Sequence, residues 1–376
     1  MKKMVIFSSQ TCPFGDAGAI RLHYLAKIFK CNGFDVTIIG INFSKEEIFK
    51  DKEIDTINYH FFKANNRYYF SQMRKYLLSN GKIDVVLVYM IPIGALLYLK
   101  KYAKKNKIQL LHDSVEWYSP SEFNRPFLSY EYMRREIYNR FLIDRQFKVI
   151  SISRYLYSYF KSKGISTVRI PVIMEIPENS FKEKNINRDY IKIAYIGGYA
   201  PKKDQIDLFL KAYLELNEEI KNKIKFYFIG MDSSKVALLA NKSEDEINRN
   251  VICYGRVNRE KLLELMNEID FTVIIRNSRE RYAKAGFPTK IVESLSSGVP
   301  VIANLSSDLE LYLKDKENSI LLKEMNTQAI KEGLLKIFSL SNEERKKMHL
   351  QSYQTARKFF NYLLYKDKVS ELLEKK

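Results

Sequence analysis

KAGFPTKIVESLSSGVPVIAN, residues Lys284 to Asn304, packs two structural elements and their boundaries into one short stretch. Gly286-Phe287-Pro288 is turn-rich, and Thr289-Lys290 opens a short amphipathic helix that carries Glu293. Ser297-Gly298 stops that helix, and Pro300 leads into the β-run Val301-Ile302-Ala303. A helix start presents backbone N–H groups without intrahelical partners and a partial positive charge, a combination that suits a nucleotide diphosphate. Glu293, one turn further in, is spaced to accept hydrogen bonds from ribose hydroxyls. The plainer reading is an ordinary helix-then-strand unit of an α/β domain with a solvated carboxylate.

Outward from this stretch, strand and helix signals alternate along the chain, which implies parallel strands with helical crossovers. In the first half the expected strands are 4–9, 35–41, 57–63, 84–90, 109–112, 149–153 and 168–172. Helices are expected near 17–32, 68–79, 93–105, 129–146 and 155–163. Near-continuous apolar runs such as VVLVYM (85–90) fit a sheet covered on both faces. A polar break, EIPENSFKEKNINR (175–188), reads as a linker. A second alternating block follows, with strands at 191–196, 225–229, 251–254, 271–275, 299–302 and 319–322. Its helices are expected at 204–219, 259–268, 289–296 and 328–338, and residues 342–376 read as helical throughout. Ligands of doubly wound sheets bind beyond the carboxyl ends of the strands, so both halves are expected to face one cleft.

With 376 residues the chain is long enough for two domains, each with its own core. Its 46% hydrophobic and 28% charged residues exclude a disordered chain. The 63 basic and 44 acidic residues leave a formal charge of +19. That balance admits nucleic acid, an anionic membrane surface, acidic ligands or mere compositional bias, and does not choose among them. Cys12, Cys31 and Cys253 stand far apart with no CxxC spacing, which argues against a disulfide framework or zinc site and suits a reducing cytoplasm. The four histidines form no ligand cluster, so no metal site is expected. MKKMVIFSSQ reads as a first strand, and the longest apolar run, Val85 to Leu99, is too short to span a bilayer and is broken by Pro92.

Four further constellations carry chemistry. After the first strand, Gly15 and Gly18 bracket a loop that opens a helix with Asp16 near its start, where a ligand can approach the backbone. It matches neither GxGxxG nor a Walker loop. In LLHDSVEWYSPSEF, an apolar strand delivers His112, Asp113 and Glu116 toward its carboxyl end, with Trp117 read as a packing residue. In IAYIGGYAPKKD, a strand ends at Gly197-Gly198 and Lys203 precedes a helix at Asp204; a lysine there can offset charge developing on a departing diphosphate. Arg256, after another strand, is a second such cation. Finally, Tyr130 to Lys148 interleaves arginines with aromatics at helical spacing, downstream of Lys100, Lys101, Lys104 and Lys105. This reads as a packed surface helix or as one that rests on anionic lipid.

The 284–304 stretch resembles the donor-nucleotide signature of retaining glycosyltransferases of family four, of the bacterial capsular or surface polysaccharide type. The resemblance extends in weaker form over nearly the whole chain. It implies an α/β protein of the GT-B fold: two Rossmann-like doubly wound domains facing a cleft, with C-terminal helices packing back. The implied boundaries are an acceptor-side domain at 1–174, a linker at 175–190, a nucleotide-sugar-binding domain at 191–355, and a C-terminal helix at 356–376 crossing back. It implies transfer of a sugar from a nucleotide diphosphate donor, a UDP-sugar in preference to a GDP-sugar, to a lipid-linked or oligosaccharide acceptor. No cofactor, metal or nucleic acid is expected; a cytoplasmic location, with an anionic membrane surface as a further partner, is. On this reading the catalytic candidates are His112, which would contact the donor sugar, Asp113 and Glu116 on the acceptor side, and Lys203. The donor-binding candidates are Gly15, Asp16, Gly18, Gly198, Lys203, Arg256, Gly286, Pro288, Thr289, Lys290 and Glu293. Two departures stand out: Tyr199 falls where relatives carry a diphosphate-binding arginine, and Ala285 replaces the first of two glutamates eight positions apart. The basic run Arg276 to Arg281, with Lys284, is a candidate for recognising a sugar that bears a carboxylate or another polar substituent, against the favoured alternative of a solvated charged loop. A GT-B nucleotide-sugar epimerase, a non-catalytic basic lipid- or nucleic-acid-binding protein and a nicotinamide oxidoreductase are the competing readings.

Overall fold

The computed structural model describes residues 1–13, 16–42, 51–63, 66–178, 180–184, 189–198, 203–247 and 250–374. The chain divides into two compact units, one of residues 1–175, 285–287 and 361–376, the other of residues 176–284 and 288–360.

The first unit contains β1 (Lys2–Thr11), β2 (Phe34–Asn42), β3 (Lys52–Ile54), β4 (Ile57–Lys63), β5 (Val85–Tyr89), β6 (Gln109–Ser114), β7 (Phe147–Ser151) and β8 (Thr167–Arg169). They form one sheet in the order β3-β4-β2-β1-β5-β6-β7-β8. Among the described strands only β3, which the sequence pattern did not reveal, runs antiparallel to its neighbour. All five residues of β5 are buried, as a strand covered by helices on both faces requires. Strand order reverses between β1 and β5, so the loops after these strands flank the switch point where ligands of such sheets bind. Tyr362, Tyr365, Val369 and Leu372 from the chain's end belong to this unit's core. Lys148 and Gln109 both donate to the Leu373 carbonyl, at 2.9 and 3.1 Å.

The second unit contains β9 (Ile191–Ile196), β10 (Ile224–Ile229), β11 (Val251–Gly255), β12 (Phe271–Ile274), β13 (Val301–Asn304) and β14 (Ser319–Leu322). Its sheet runs β11-β10-β9-β12-β13-β14, every pair parallel. Counted from β9 this is the 3-2-1-4-5-6 order of a dinucleotide-type sheet, with its switch point between β9 and β12. Its core stacks Phe209, Phe226, Phe228 and Phe271, all fully buried.

Three expectations are corrected. Tyr130 to Lys148 is not one helix: the α-helix Tyr130–Ile137 passes into a π-helical turn, Tyr138–Leu142, and Phe147 already begins β7. Pairing of Leu110 with Phe147 and Asp113 with Ile150 draws that end of the stretch into the sheet and overrides its helical spacing. The polar stretch from 175 onward is not a free linker. Phe181 packs on Tyr353, and the buried Lys184 donates to the Met266 and Ile269 carbonyls at the end of the helix Arg259–Glu268. The tail at 342–376 is broken: the helix Asn342–Phe360 lies in the second unit, and the helix Lys366–Glu374 in the first.

Candidate functional site

The helix at the centre of the 284–304 stretch spans Thr289–Ser296, as its sequence pattern predicts. Ile291, Val292 and Leu295 are fully buried on its inner face. The Ser294 hydroxyl shares a 2.6 Å hydrogen bond with Thr272 of β12 and donates to the Val299 carbonyl at 3.1 Å, which fixes the helix on the sheet. It ends at Gly298, whose φ of +65° and contact with the Phe181 ring leave no room for a side chain. Pro288 stands at its N-cap and offers no side-chain hydrogen bond to the helix start. No acidic residue occupies its first turn, so its partial positive charge is not offset there.

Glu293 lies one turn in and is an exposed residue. Burial raises its pKa, with Lys290 and Arg259 opposing the rise. Pro288 and Gly286 are buried. Ala285, in place of the first glutamate, is buried, and its carbonyl accepts a 2.7 Å hydrogen bond from Ser153.

Lys290 turns back over the end of β9. Its ammonium donates to Asp204 Oδ2 at 2.6 Å and to the Tyr195 hydroxyl at 3.0 Å, and sits 4.4 Å from the Tyr195 ring centroid. Arg276, just past β12, donates from Nε to Asp204 Oδ1 at 3.0 Å. The Asn304 amide pins the Arg276 backbone on both sides, accepting from its N–H at 2.9 Å and donating to its carbonyl at 2.7 Å. Asp204 is only 3% exposed. Burial pushes its carboxyl upward, but Arg276 and Lys290 outweigh that and hold it below the ordinary carboxylate value. Tyr195 is pushed well above the ordinary phenol value, by burial first and the Asp204 charge second.

Glycines shape the same edge. A Cβ on Gly197, where φ is +147°, would lie 2.3 Å from the Lys290 ammonium. One on Gly230, where φ is +112°, would lie 2.7 Å from the Gly197 carbonyl oxygen. Gly198 faces open space. Lys203 is half-buried, and its carbonyl accepts from the Tyr282 hydroxyl at 2.9 Å; Arg256, directly after β11, is exposed. Tyr199 and Lys202 lie outside the described residues. The run from Arg276 to Lys284 is not a plain solvated loop, since Arg276 turns inward to Asp204 and Arg281–Ala285 is helical; Lys284 is exposed.

The first unit holds the other candidates. Gly15 lies outside the described residues. Asp16 caps the helix Ala17–Cys31, accepting from the Ala19 N–H at 2.8 Å, so its carboxylate serves the helix start. A Cβ on Gly18 would meet the Tyr89 hydroxyl at 2.6 Å, which brings the β1 loop against the end of β5. Asp113 forms a bidentate ion pair with Arg21, at 2.8 and 2.9 Å, and is 2% exposed. Burial raises its carboxyl and Arg21 opposes the rise. It therefore serves the interior of the unit, contrary to an acceptor-side role.

His112 is fully buried within β6 rather than displayed at its end, between the rings of Tyr138 and Phe160. Among the described residues neither ring nitrogen has a hydrogen-bond partner of good geometry. Burial, reinforced by Arg135, pushes its pKa down to about 3, so the ring stays neutral. Glu116 is partly exposed and pairs at 3.8 Å with Arg135. Trp117 is a packing residue, donating to Glu136 at 2.8 Å and meeting Tyr159 edge-on at 4.6 Å.

Sequence reasoning passed over Arg21, Arg135 and Tyr195, and saw Asp204 only as a helix start. Of the three, Arg21 had a visible signal, a guanidinium between Ile20 and Leu22 in IRLHYLAKIF.

Residues 177–355 match the family model described as "Glycosyl transferases group 1". An uncharacterised glycosyltransferase of Methanocaldococcus jannaschii is 24% identical over 260 residues, which is 66% of this chain. The chain spans 63% of that relative's length. Among solved structures, sucrose-phosphate synthase of Thermosynechococcus elongatus superposes with a TM-score of 0.78 at 13% identity, covering 99% of this chain and 98% of the other. Anabaena HepE in complex with UDP-glucose superposes with a TM-score of 0.69 at 16% identity, covering 98% and 99%. These likenesses establish the GT-B fold.

Proposed function

We propose that this GT-B chain, whose residues 177–355 match the glycosyl transferases group 1 model, moves a sugar from a nucleoside diphosphate donor to a glycan acceptor. The observation that carries this reading is the uncapped helix start at Thr289, with Lys290 beside it and Glu293 one turn in, at the switch point of a dinucleotide-type sheet. In the reaction the bond from the sugar's anomeric carbon to the diphosphate oxygen breaks, and a bond from that carbon to an acceptor hydroxyl oxygen forms. The hydroxyl proton leaves to the departing diphosphate or to solvent. Negative charge grows on the diphosphate, where N–H donors and fixed cations stabilise it most. Lys203 and Arg256 supply two such cations, and Glu293 accepts the ribose hydroxyls. HepE was solved with UDP-glucose, which supports a UDP-sugar over a GDP-sugar. On the acceptor side the reading keeps Glu116, partly exposed beside Arg135, and drops His112 from the donor-sugar contact, since its ring is fully buried. Transfer proceeds with retention of anomeric configuration.

Calorimetric titration with UDP, GDP and ADP, with and without EDTA, tests the donor site. UDP is expected to bind in EDTA, and Glu293→Ala to weaken it by about 10- to 100-fold, the worth of one or two charge-assisted hydrogen bonds. Failure of all three nucleotides to bind would overturn the reading.

The acceptor we propose is a lipid-linked glycan of surface polysaccharide synthesis, met at an anionic membrane surface. Phe127, Leu128, Tyr130 and Phe141 are 76, 78, 63 and 72% exposed within one short stretch, near the exposed Lys101, Lys104 and Lys105 in sequence. Apolar side chains beside cations fit a bilayer interface with anionic headgroups. No helix among the described residues is long and apolar enough to cross a membrane. Flotation with phosphatidylglycerol-containing vesicles tests this: the wild type should float, and a Phe127→Ser, Leu128→Ser double variant should not. Equal flotation of both would remove this face from the proposal.

A further inference from the structure

Asp204 has one negative charge and two cations upon it. The cluster of Asp204, Arg276 and Lys290 therefore carries a net charge of +1 next to a 3%-exposed carboxylate. The side chains of Arg276 and Lys290 are 15 and 24% exposed, so each still reaches solvent. Their donors are only partly engaged. Arg276 gives Nε to Asp204, and its two terminal nitrogens have no partner among the described residues. Lys290 gives two N–H groups, to Asp204 and Tyr195, and its third has no partner among them. A cluster that served folding alone would be closer to neutral, since excess buried charge costs free energy. Its location also fits a ligand: Arg276 follows β12, Lys290 lies on Gly197 after β9, and Gly198 beside it faces open space.

We propose that Arg276 and Lys290 together form the clamp that holds the donor's diphosphate, and that Asp204 is the positioning residue that aims both. This rests on the donor-site reading above and adds to it the side chains that meet the phosphates. The guanidinium offers a planar pair of N–H groups, and the ammonium a compact point charge, a combination suited to two adjacent phosphates. Gly197 is part of the device, because any side chain there would displace the ammonium from its seat. Arg276 accordingly recognises phosphate rather than a carboxylate on the sugar.

The test is calorimetry of UDP, UMP and UDP-glucuronate on the full chain as wild type, Lys290→Met, Lys290→Arg, Arg276→Met and Asp204→Asn, with thermal melts to confirm folding. Lys290→Met and Arg276→Met should each weaken UDP by about 10- to 100-fold, the worth of a hydrogen bond to a charged group. UMP, with one phosphate fewer, should lose less, and Lys290→Arg should recover part of the affinity. Asp204→Asn separates positioning from bulk charge. It makes the cluster more positive, so a purely electrostatic site would bind UDP more tightly, whereas loss of aim weakens it. UDP bound as tightly by both methionine variants as by the wild type overturns the clamp while the donor site stands. An Arg276→Met variant that loses preference for UDP-glucuronate but keeps UDP affinity overturns the assignment of Arg276 in favour of sugar selection. If the wild type binds no nucleoside diphosphate, the donor site falls and the clamp with it.

Discussion

Each unit buries an aspartate against an arginine, and the two pairs are built for different ends. In the first, Arg21 serves Asp113 through two nitrogens and gives its remaining reach to the Pro171 and Ile170 carbonyls, at 2.5 and 3.1 Å. One charge meets one charge, and all three guanidinium nitrogens are engaged. In the second, Asp204 meets two cations whose outer N–H groups remain open. The same residue types are structural when charge and donors balance, and available to a ligand when they do not. Net charge and donor engagement, rather than burial or distance, separate the two cases.

The largest effect expected from this contrast is on stability. Arg21→Met strands a buried carboxylate and should cost the first unit about 3–5 kcal/mol, read as a fall in thermal midpoint, with UDP affinity unchanged. Arg276→Met leaves Asp204 with Lys290 and Tyr195, so its cost should be nearer 1–2 kcal/mol, the worth of one charge-assisted hydrogen bond. Equal losses in the two variants would break the comparison. Gly197→Ala should come next, costing about 1–3 kcal/mol for a side chain at φ +147° and weakening UDP by displacing Lys290. Unchanged UDP affinity in that variant would show that the seat of Lys290 does not matter.

The smallest effect is a slope. His112 is pushed from 6.5 down to about 3, so the unfolded chain binds its proton first. Its contribution to stability is complete above pH 6.5 and declines as pH falls toward 3, by at most about 1.4 kcal/mol per pH unit. Asp204, also lowered, contributes in a different window: its share is present above the ordinary aspartate value and lost only as pH falls below it. His112→Gln should therefore flatten the stability profile between pH 6 and 4 and leave the more acidic limb, where Asp204→Asn acts. An unaltered profile in His112→Gln would mean that folding does not lower the pKa of the ring.

Local pattern carried the fold a long way. The helices Thr289–Ser296 and Arg259–Glu268 match their sequence spans because caps, glycines and apolar spacing act over a few residues. Failure came where distant strands intervened. Phe147 and Lys148 continued a helical spacing, yet pairing with β6 made them strand. The site was legible in part. Lys290, Glu293 and Thr289 stood out because their chemistry is that of a helix start. Asp16 and Asp113 were equally suggestive in sequence, and the structure assigns one to a helix cap and the other to an ion pair. The sequence around Asp204 held nothing that told of its two cations.

By itself, then, the sequence determined the alternation of strands and helices, the doubly wound class and the helix start at Thr289, since each follows from periodicity and chain punctuation. Tertiary structure alone decided which charges are satisfied. Arg276 lies 72 positions from Asp204, Lys290 lies 86 from it, and Arg21 lies 92 from Asp113. No local pattern encodes such pairings. They are set when strands far apart in sequence take adjacent places in a sheet and their loops bring the charges together.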